Sequence, residues 1–261
     1  MDRTLRGRVA IVTGAGPGIG RATALAFARD GASVVVAARR AEPLEAMARE
    51  LAEQTGRRFL AVAADLKDLD DCRRIVARTV EAMGRVDVLV NVATHPHKRA
   101  AVAEMDWKAY AESFQLNVAG TMTVCGEAAL RMAEGGGGSI INIGTLATTM
   151  LQAKMSEYSS TKLAMIAASK TLAREMGRRN VRVNIVTPGY TTGEPLDRLI
   201  EQMAAGQQTT PEEMSRRLAK SAVLGRHVDP EDIAEACLFL ASDRARNVTG
   251  VELHVTAGQW F

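Results

Sequence analysis

Short apolar runs rich in valine and isoleucine recur along the chain at 9–12, 33–38, 59–63, 86–90, 139–143, 181–186 and 251–255. They lack the polar alternation of a strand with one wet face, so they predict strands covered on both sides, as in a parallel sheet. Between them apolar residues return every three or four positions, as in Leu44, Met47, Ala48 and Leu51, or Ile75, Val76, Thr79, Val80 and Met83. That period predicts helices, several of them stopped by a glycine: Gly31, Gly56, Gly84 and Gly177. Repeated strand–helix–strand units with right-handed crossovers close into a doubly wound parallel sheet, a three-layer α/β/α sandwich.

No shift of composition breaks this rhythm, so residues 1–261 read as one domain. Four glycines at 135–138 suggest a flexible surface connection before the fifth strand. Residues 190–221, with Gly193, Pro195, Gly206 and Pro211, form a long insert after the sixth. Ligands bind at the carboxyl ends of strands in open α/β sheets, so this insert is expected to act as a substrate lid, or else to be a decorated surface loop.

Composition narrows the function classes. With 33 lysines and arginines against 30 acidic residues the formal charge is only +3. The basic residues are scattered, which argues against nucleic acid. Cys72, Cys125 and Cys237 have no ligand-type or disulfide spacing, so no metal site is expected and free thiols suit a reducing cytoplasm. Residues 1–6 are charged and lead straight into a strand, with no leader-type apolar region and no membrane-length run anywhere.

The chemistry begins after the first strand, in Thr13-Gly14-Ala15-Gly16-Pro17-Gly18-Ile19-Gly20. The spacing T-G-x-x-x-G-x-G permits a tight turn and a close backbone approach to a pyrophosphate at the following helix N-terminus, as in Rossmann-type dinucleotide sites. The second strand ends in Arg39-Arg40 rather than the acidic residue that would bind a ribose 2′-hydroxyl. Guanidinium forks suit a 2′-phosphate, which favours NADP(H), with NAD(H) as the alternative.

Tyr158 and Lys162 lie four apart on a helical segment and so project from one face. An ammonium beside a phenol stabilises the phenolate and brings tyrosine toward a useful general acid/base range. Together with Asn91-Val92-Ala93, Leu116-Asn117-Val118, Pro188-Gly189, Gly225-Arg226 and Pro230-Glu231-Asp232-Ile233, these motifs give the chain its resemblance to the short-chain dehydrogenase/reductase family over essentially its whole length. The resemblance implies Tyr158 as general acid/base and Lys162 as the residue that lowers its pKa and holds the nicotinamide ribose. It implies Asn117 as support for a water-mediated proton relay. Thr13, Gly14, Gly16, Gly18, Ile19, Gly20, Arg39, Arg40, Asp65, Leu66, Asn91, Ala93, Lys162, Pro188, Gly189 and Thr191 are implied around the cofactor, with Asp65 near the adenine and Thr191 at the carboxamide. A homotetramer is implied too, built partly on the Tyr158 helix and on the C-terminal helix and strand.

Three departures stand out. Thr145 occupies the place of the family's usual serine, thirteen residues before Tyr158, and keeps a hydroxyl. Thr94 replaces a usual glycine, and it leads into His95-Pro96-His97-Lys98-Arg99, where two histidines alone define no metal site and a substrate-side wall or a solvated loop is expected. Val255-Thr256-Ala257-Gly258 replaces the more usual Asp-Gly-Gly. Met150, Leu151, Met155 and Tyr190 flank the expected site and suggest a small, mainly apolar carbonyl or alcohol substrate. The leading reading is an NADP(H)-dependent carbonyl reductase or alcohol dehydrogenase. The alternatives are a carrier-linked 3-oxoacyl reductase, weakened by glycines 135–138 where basic docking residues are usual, and a nucleotide-binding sensor with little turnover.

Overall fold

The computed structural model describes residues 4–259; residues 1–3, part of the charged start read above, and residues 260–261 lie outside it. Seven strands form one parallel sheet: β1 (Val9–Thr13), β2 (Ser33–Ala38), β3 (Phe59–Ala63), β4 (Val88–Asn91), β5 (Gly138–Ile143), β6 (Val181–Pro188) and β7 (Glu252–Val255). Their order is β3-β2-β1-β4-β5-β6-β7. All pairings are parallel, as continuous apolar runs require.

Strand parity divides the core in two. Ala10, Val12, Val34, Val36, Val88 and Val90 face α1 (Ile19–Arg29), α2 (Ala41–Thr55) and α9 (Pro230–Ala241). Ile11, Val35, Ala37 and Leu89 face α3 (Leu69–Met83), α5 (Thr121–Glu134) and α6 (Ser156–Met176) on the other side. The central strands thus bury both faces of their pleat, at roughly 1.5–3 kcal/mol per large aliphatic side chain, while the edge strands β3 and β7 are mostly half-buried.

One polar thread crosses this apolar interior. The Thr13 hydroxyl donates to Asn91 Oδ1 (2.9 Å), Asn91 Nδ2 donates to Asn142 Oδ1 (2.8 Å), and Asn142 Nδ2 donates to Ser169 Oγ (2.7 Å). It joins β1, β4, β5 and α6, with all four residues buried.

Several expectations are revised. Gly177 does not stop its helix by a left-handed turn: its φ is −58°, the chain continues as the 3-10 turn Gly177–Arg179, and Asn180 takes the left-handed conformation at φ 60°. Asparagine tolerates that conformation because its short side chain bonds locally; here it donates to Gly136 O (2.9 Å). Within residues 135–138, Gly135 and Gly136 form an exposed turn, while Gly137 and Gly138 are closely packed. A β-carbon at Gly137 would lie 2.5 Å from Asn180, and one at Gly138 2.5 Å from Met132. The 190–221 insert is largely helical, folding into α7 (Glu194–Gly206) and α8 (Pro211–Lys220) around Leu196, Ile200, Ala204 and Met214. No described helix is long and apolar enough to cross a membrane.

Candidate active site

The strand order reverses between β1 and β4, and the loops at the carboxyl ends of the strands converge on one side of the sheet at this switch point. Gly14 turns there with φ +67°, and a β-carbon on it would lie 2.3 Å from the Ala93 nitrogen. A β-carbon on Gly20 would lie 2.4 Å from the Gly14 carbonyl oxygen. These two glycines let the first loop, α1 and the loop after β4 touch. Gly16 and Gly18 meet no protein atom at that position; Gly16 borders an open cleft of about 600 Å³. Ile19 opens α1 after Gly18, with no side chain capping its first N–H groups. Bare N–H groups at a helix start favour a phosphate.

Arg39 and Arg40 line that cleft, exposed; Arg21 there pairs with Glu50, but neither Arg39 nor Arg40 has a carboxylate partner among the described residues. Arg39 also borders a neighbouring cavity with Asp65, Leu66 and Ala93. The Asp65 carboxylate accepts from the Lys67 N–H (2.9 Å), fixing its turn. These residues fit a dinucleotide: an open glycine turn, unsatisfied amides, free guanidinium groups at the adenosine end and apolar walls. Two expected side chains face elsewhere. Thr13 and Asn91 spend their polar groups on the buried thread, Asn91 also donating to Cys125 Sγ (3.2 Å), so only their backbone borders the loop region. Thr191 donates to Gly189 O (3.1 Å) and lies outside the walls of the main cavity, which include Pro188 and Gly189.

That cavity, about 580 Å³, is walled by Thr145, Tyr158, Met155, Met150 and Tyr190 together with residues of α7. Tyr158 stands in the first turn of α6, and Lys162 one turn later is buried, donating from Nζ to the Ile143 carbonyl (2.9 Å). Burial pulls the Lys162 pKa from the ordinary 10.5 down to about 8. Tyr158 itself is held above 10 by burial, against a smaller opposing effect of the nearby Thr145 and Thr94 hydroxyls, which favour the phenolate. Lys162, which the resemblance implies as the group that lowers it, has its ammonium engaged by the Ile143 carbonyl.

Asn117 lies in a π-turn, Gln115–Gly120, between α4 (Trp107–Phe114) and α5. Such turns gather at functional sites. Its Oδ1 accepts from His95 N–H (2.9 Å) and Thr94 Oγ1 (3.3 Å), and its Nδ2 donates to Ser113 (3.2 Å) and Thr161 (3.1 Å). The side chain therefore clamps the loop after β4 onto the helices α4 and α6. Sequence reasoning missed two neighbours that this clamp delivers. Thr94 comes near the Tyr158 phenol, and His97 stacks on its ring with centroids 4.3 Å apart and planes 12° from parallel. The departure from glycine at 94 was the available signal for the first; an irregular loop offers none for the second. Burial, then the charges of Arg99 and His95, push the His97 pKa below 6.5. Among the described residues no group of three or more His, Cys, Asp or Glu side chains could hold a metal ion.

The comparisons with known proteins fit this geometry. Residues 14–259 match the profile of a family described as enoyl-(acyl carrier protein) reductase. A short chain dehydrogenase/reductase of Aspergillus oryzae is 37% identical over 98% of this chain and 95% of its own. The chain belongs to the short-chain dehydrogenase/reductase family. It is an oxidoreductase acting on alcohol and carbonyl groups with a nicotinamide cofactor. Among solved structures, L-sorbose reductase from Gluconobacter frateurii, complexed with NADPH and L-sorbose, superposes with a TM-score of 0.93 at 29% identity, over 99% of this chain and 98% of the other. NAD+-bound xylitol dehydrogenase gives 0.91 at 28%, over 97% and 99%. The Rossmann-type sandwich expected from the sequence is the fold observed.

Proposed function

We propose that this dehydrogenase/reductase interconverts a ketone and a secondary alcohol with NADP(H), using Tyr158 as general acid/base. The observation that carries it is the Tyr158 phenol on the cavity wall beside Thr145, one helical turn from the buried Lys162. When bound, the cofactor supplies or accepts the hydride. Tyr158 gives its proton to the substrate oxygen in reduction and takes it back in oxidation. The Thr145 hydroxyl donates to the same oxygen, stabilising the charge that builds there. Lys162 holds a positive charge near the proton path and, with a pKa of about 8, exchanges protons readily near neutrality. The pair α7 and α8 acts as the lid, since Tyr190, Pro195 and Leu199 already form one wall of the cavity. Solvated Arg39 and Arg40 favour NADPH over NADH, although the solved relatives include one with NAD+ and one with NADPH.

The sensor reading rested on Thr145 and Thr94 as impaired replacements; both keep a hydroxyl near the phenol, which supports turnover. Exposed Trp107, Phe114 and Leu163 on α4 and α6, with Phe239 and Val251 near the C-terminus, support a homotetramer through those faces. Three buried free cysteines suit the cytoplasm. The test is oxidation of NADPH and NADH against a panel of ketones and aldehydes. Turnover that disappears in Tyr158→Phe, and a cofactor preference that swings toward NADH in Arg39→Asp, are expected. An active Tyr158→Phe enzyme would refute the acid/base role.

A further inference from the structure

The substrate cavity has an unbalanced charge. Lys98 and Arg99, from the loop after β4, and Arg198, from α7, all line it, and no aspartate or glutamate among the described residues does. Lys98 has no acceptor among the described residues, and Arg99 donates to the neutral Gln152 (3.4 Å). Arg198 is shared with Glu194, an exposed carboxylate outside the wall. The three cations are solvent-exposed, whereas Thr145, Tyr158 and Met155 are buried or half-buried.

Resting on the reading of this cavity as the substrate site, we propose that the substrate is a carbonyl or alcohol compound with an apolar body and an anionic group, held by Lys98, Arg99 and Arg198. Guanidinium and ammonium groups bind carboxylate or phosphate by charge-assisted hydrogen bonds. A cleft lined by one sign of charge also concentrates such ligands before they dock. Of the apolar side chains predicted from the sequence, Met150, Met155 and Tyr190 line the cavity, while Leu151 is exposed outside it.

The test compares 4-acetylbenzoate, 4-acetylphenyl phosphate and the neutral methyl 4-acetylbenzoate as substrates with NADPH. At low ionic strength kcat/KM for one of the anionic ketones is expected to exceed that of the ester by about tenfold or more, the equivalent of one charge-assisted hydrogen bond. Which anion leads distinguishes a carboxylate from a phosphate site. The preference should shrink with added salt and fall to near unity in Lys98→Met/Arg198→Met, with the ester rate and the KM for NADPH little changed. An ester turned over as well as both anions overturns the proposal. So does a double variant that weakens all three alike, or one that raises the KM for NADPH instead. If none is reduced, the carbonyl reading is in question, and calorimetric titration of the three compounds decides the charge proposal separately. Tighter binding of an anion, lost in the double variant, supports it; equal binding refutes it.

Discussion

Lys162 should cost this protein stability at neutral pH. Its ammonium is 4% exposed and donates to one backbone carbonyl, and burial depresses its pKa from 10.5 to about 8. At about 1.4 kcal/mol per factor of ten in proton affinity, keeping the charged form costs the fold about 3 kcal/mol. Between pH 8 and 10.5 the unfolded chain binds the proton more tightly than the folded one, so stability rises with pH across that window. Below pH 8 both states carry the proton and the penalty is constant. In Lys162→Met the charge and its penalty disappear, while the Ile143 carbonyl loses its donor at about 1 kcal/mol. The variant should therefore be about 2 kcal/mol more stable than the parent at pH 7 and about 1 kcal/mol less stable at pH 10.5. Urea unfolding of both proteins without added cofactor, from pH 6.5 to 10.5, measures the difference; other titrating groups cancel in it. A difference that stays flat across that range would refute the reasoning, as would a variant less stable than the parent at pH 7.

Thr145→Val keeps the shape and removes the hydroxyl, so kcat should fall about 100-fold, as when a single oxyanion donor is removed, while Thr145→Ser retains activity. Steady-state rates check this, and a Val variant as fast as the parent would sink the role. A large gain in Thr145→Ser would show that the extra methyl narrows substrate choice. His97 is neutral at pH 7.5 because its pKa lies below 6.5, so its contribution there is stacking. His97→Phe should then hold the KM for a ketone near the parent value, while His97→Ala raises it; equal impairment in both would point to hydrogen bonding instead. A β-carbon on Gly120 would fall 1.8 Å from the Leu66 carbonyl oxygen. Gly120→Ala should thus destabilise the fold by about 3 kcal/mol or more and disturb the π-turn carrying Asn117, whereas denaturation near the parent midpoint would show that the turn can shift.

The sheet was readable because parallel strands bury both faces, leaving uninterrupted apolar runs such as 33–38 and 59–63 whose limits match the strands observed. Tyr158 and Lys162 were readable as a pair because helical spacing puts them on one face, while Thr145 came from the family resemblance and lines the same cavity as Tyr158. Direction at the strand ends was not. Thr13 and Asn91 sit where a cofactor contact is expected, but their side chains point sideways to each other across the sheet, a lateral pairing that no local period encodes. The helices α7 and α8 were hidden by the glycines and prolines around them: Gly193 and Thr210 precede the two helices, and Pro195 and Pro211 lie in their first turns, so residues that read as loop markers are start signals. His97 reaches Tyr158 from an irregular loop, with nothing in its spacing to announce the contact.

The thread from Thr13 through Asn91 and Asn142 to Ser169 has a mechanical consequence. Its links join side chains at one level of three neighbouring strands and then the helix bearing Tyr158. Sliding any of those strands by one residue would turn its polar member to the opposite face and strand its partners in an apolar interior. The thread therefore works as an alignment pin through the middle of the sheet. It sets the height at which β1 delivers its glycine turn against the height at which α6 delivers its phenol, so two halves of the reaction centre that are far apart in the chain meet at one level.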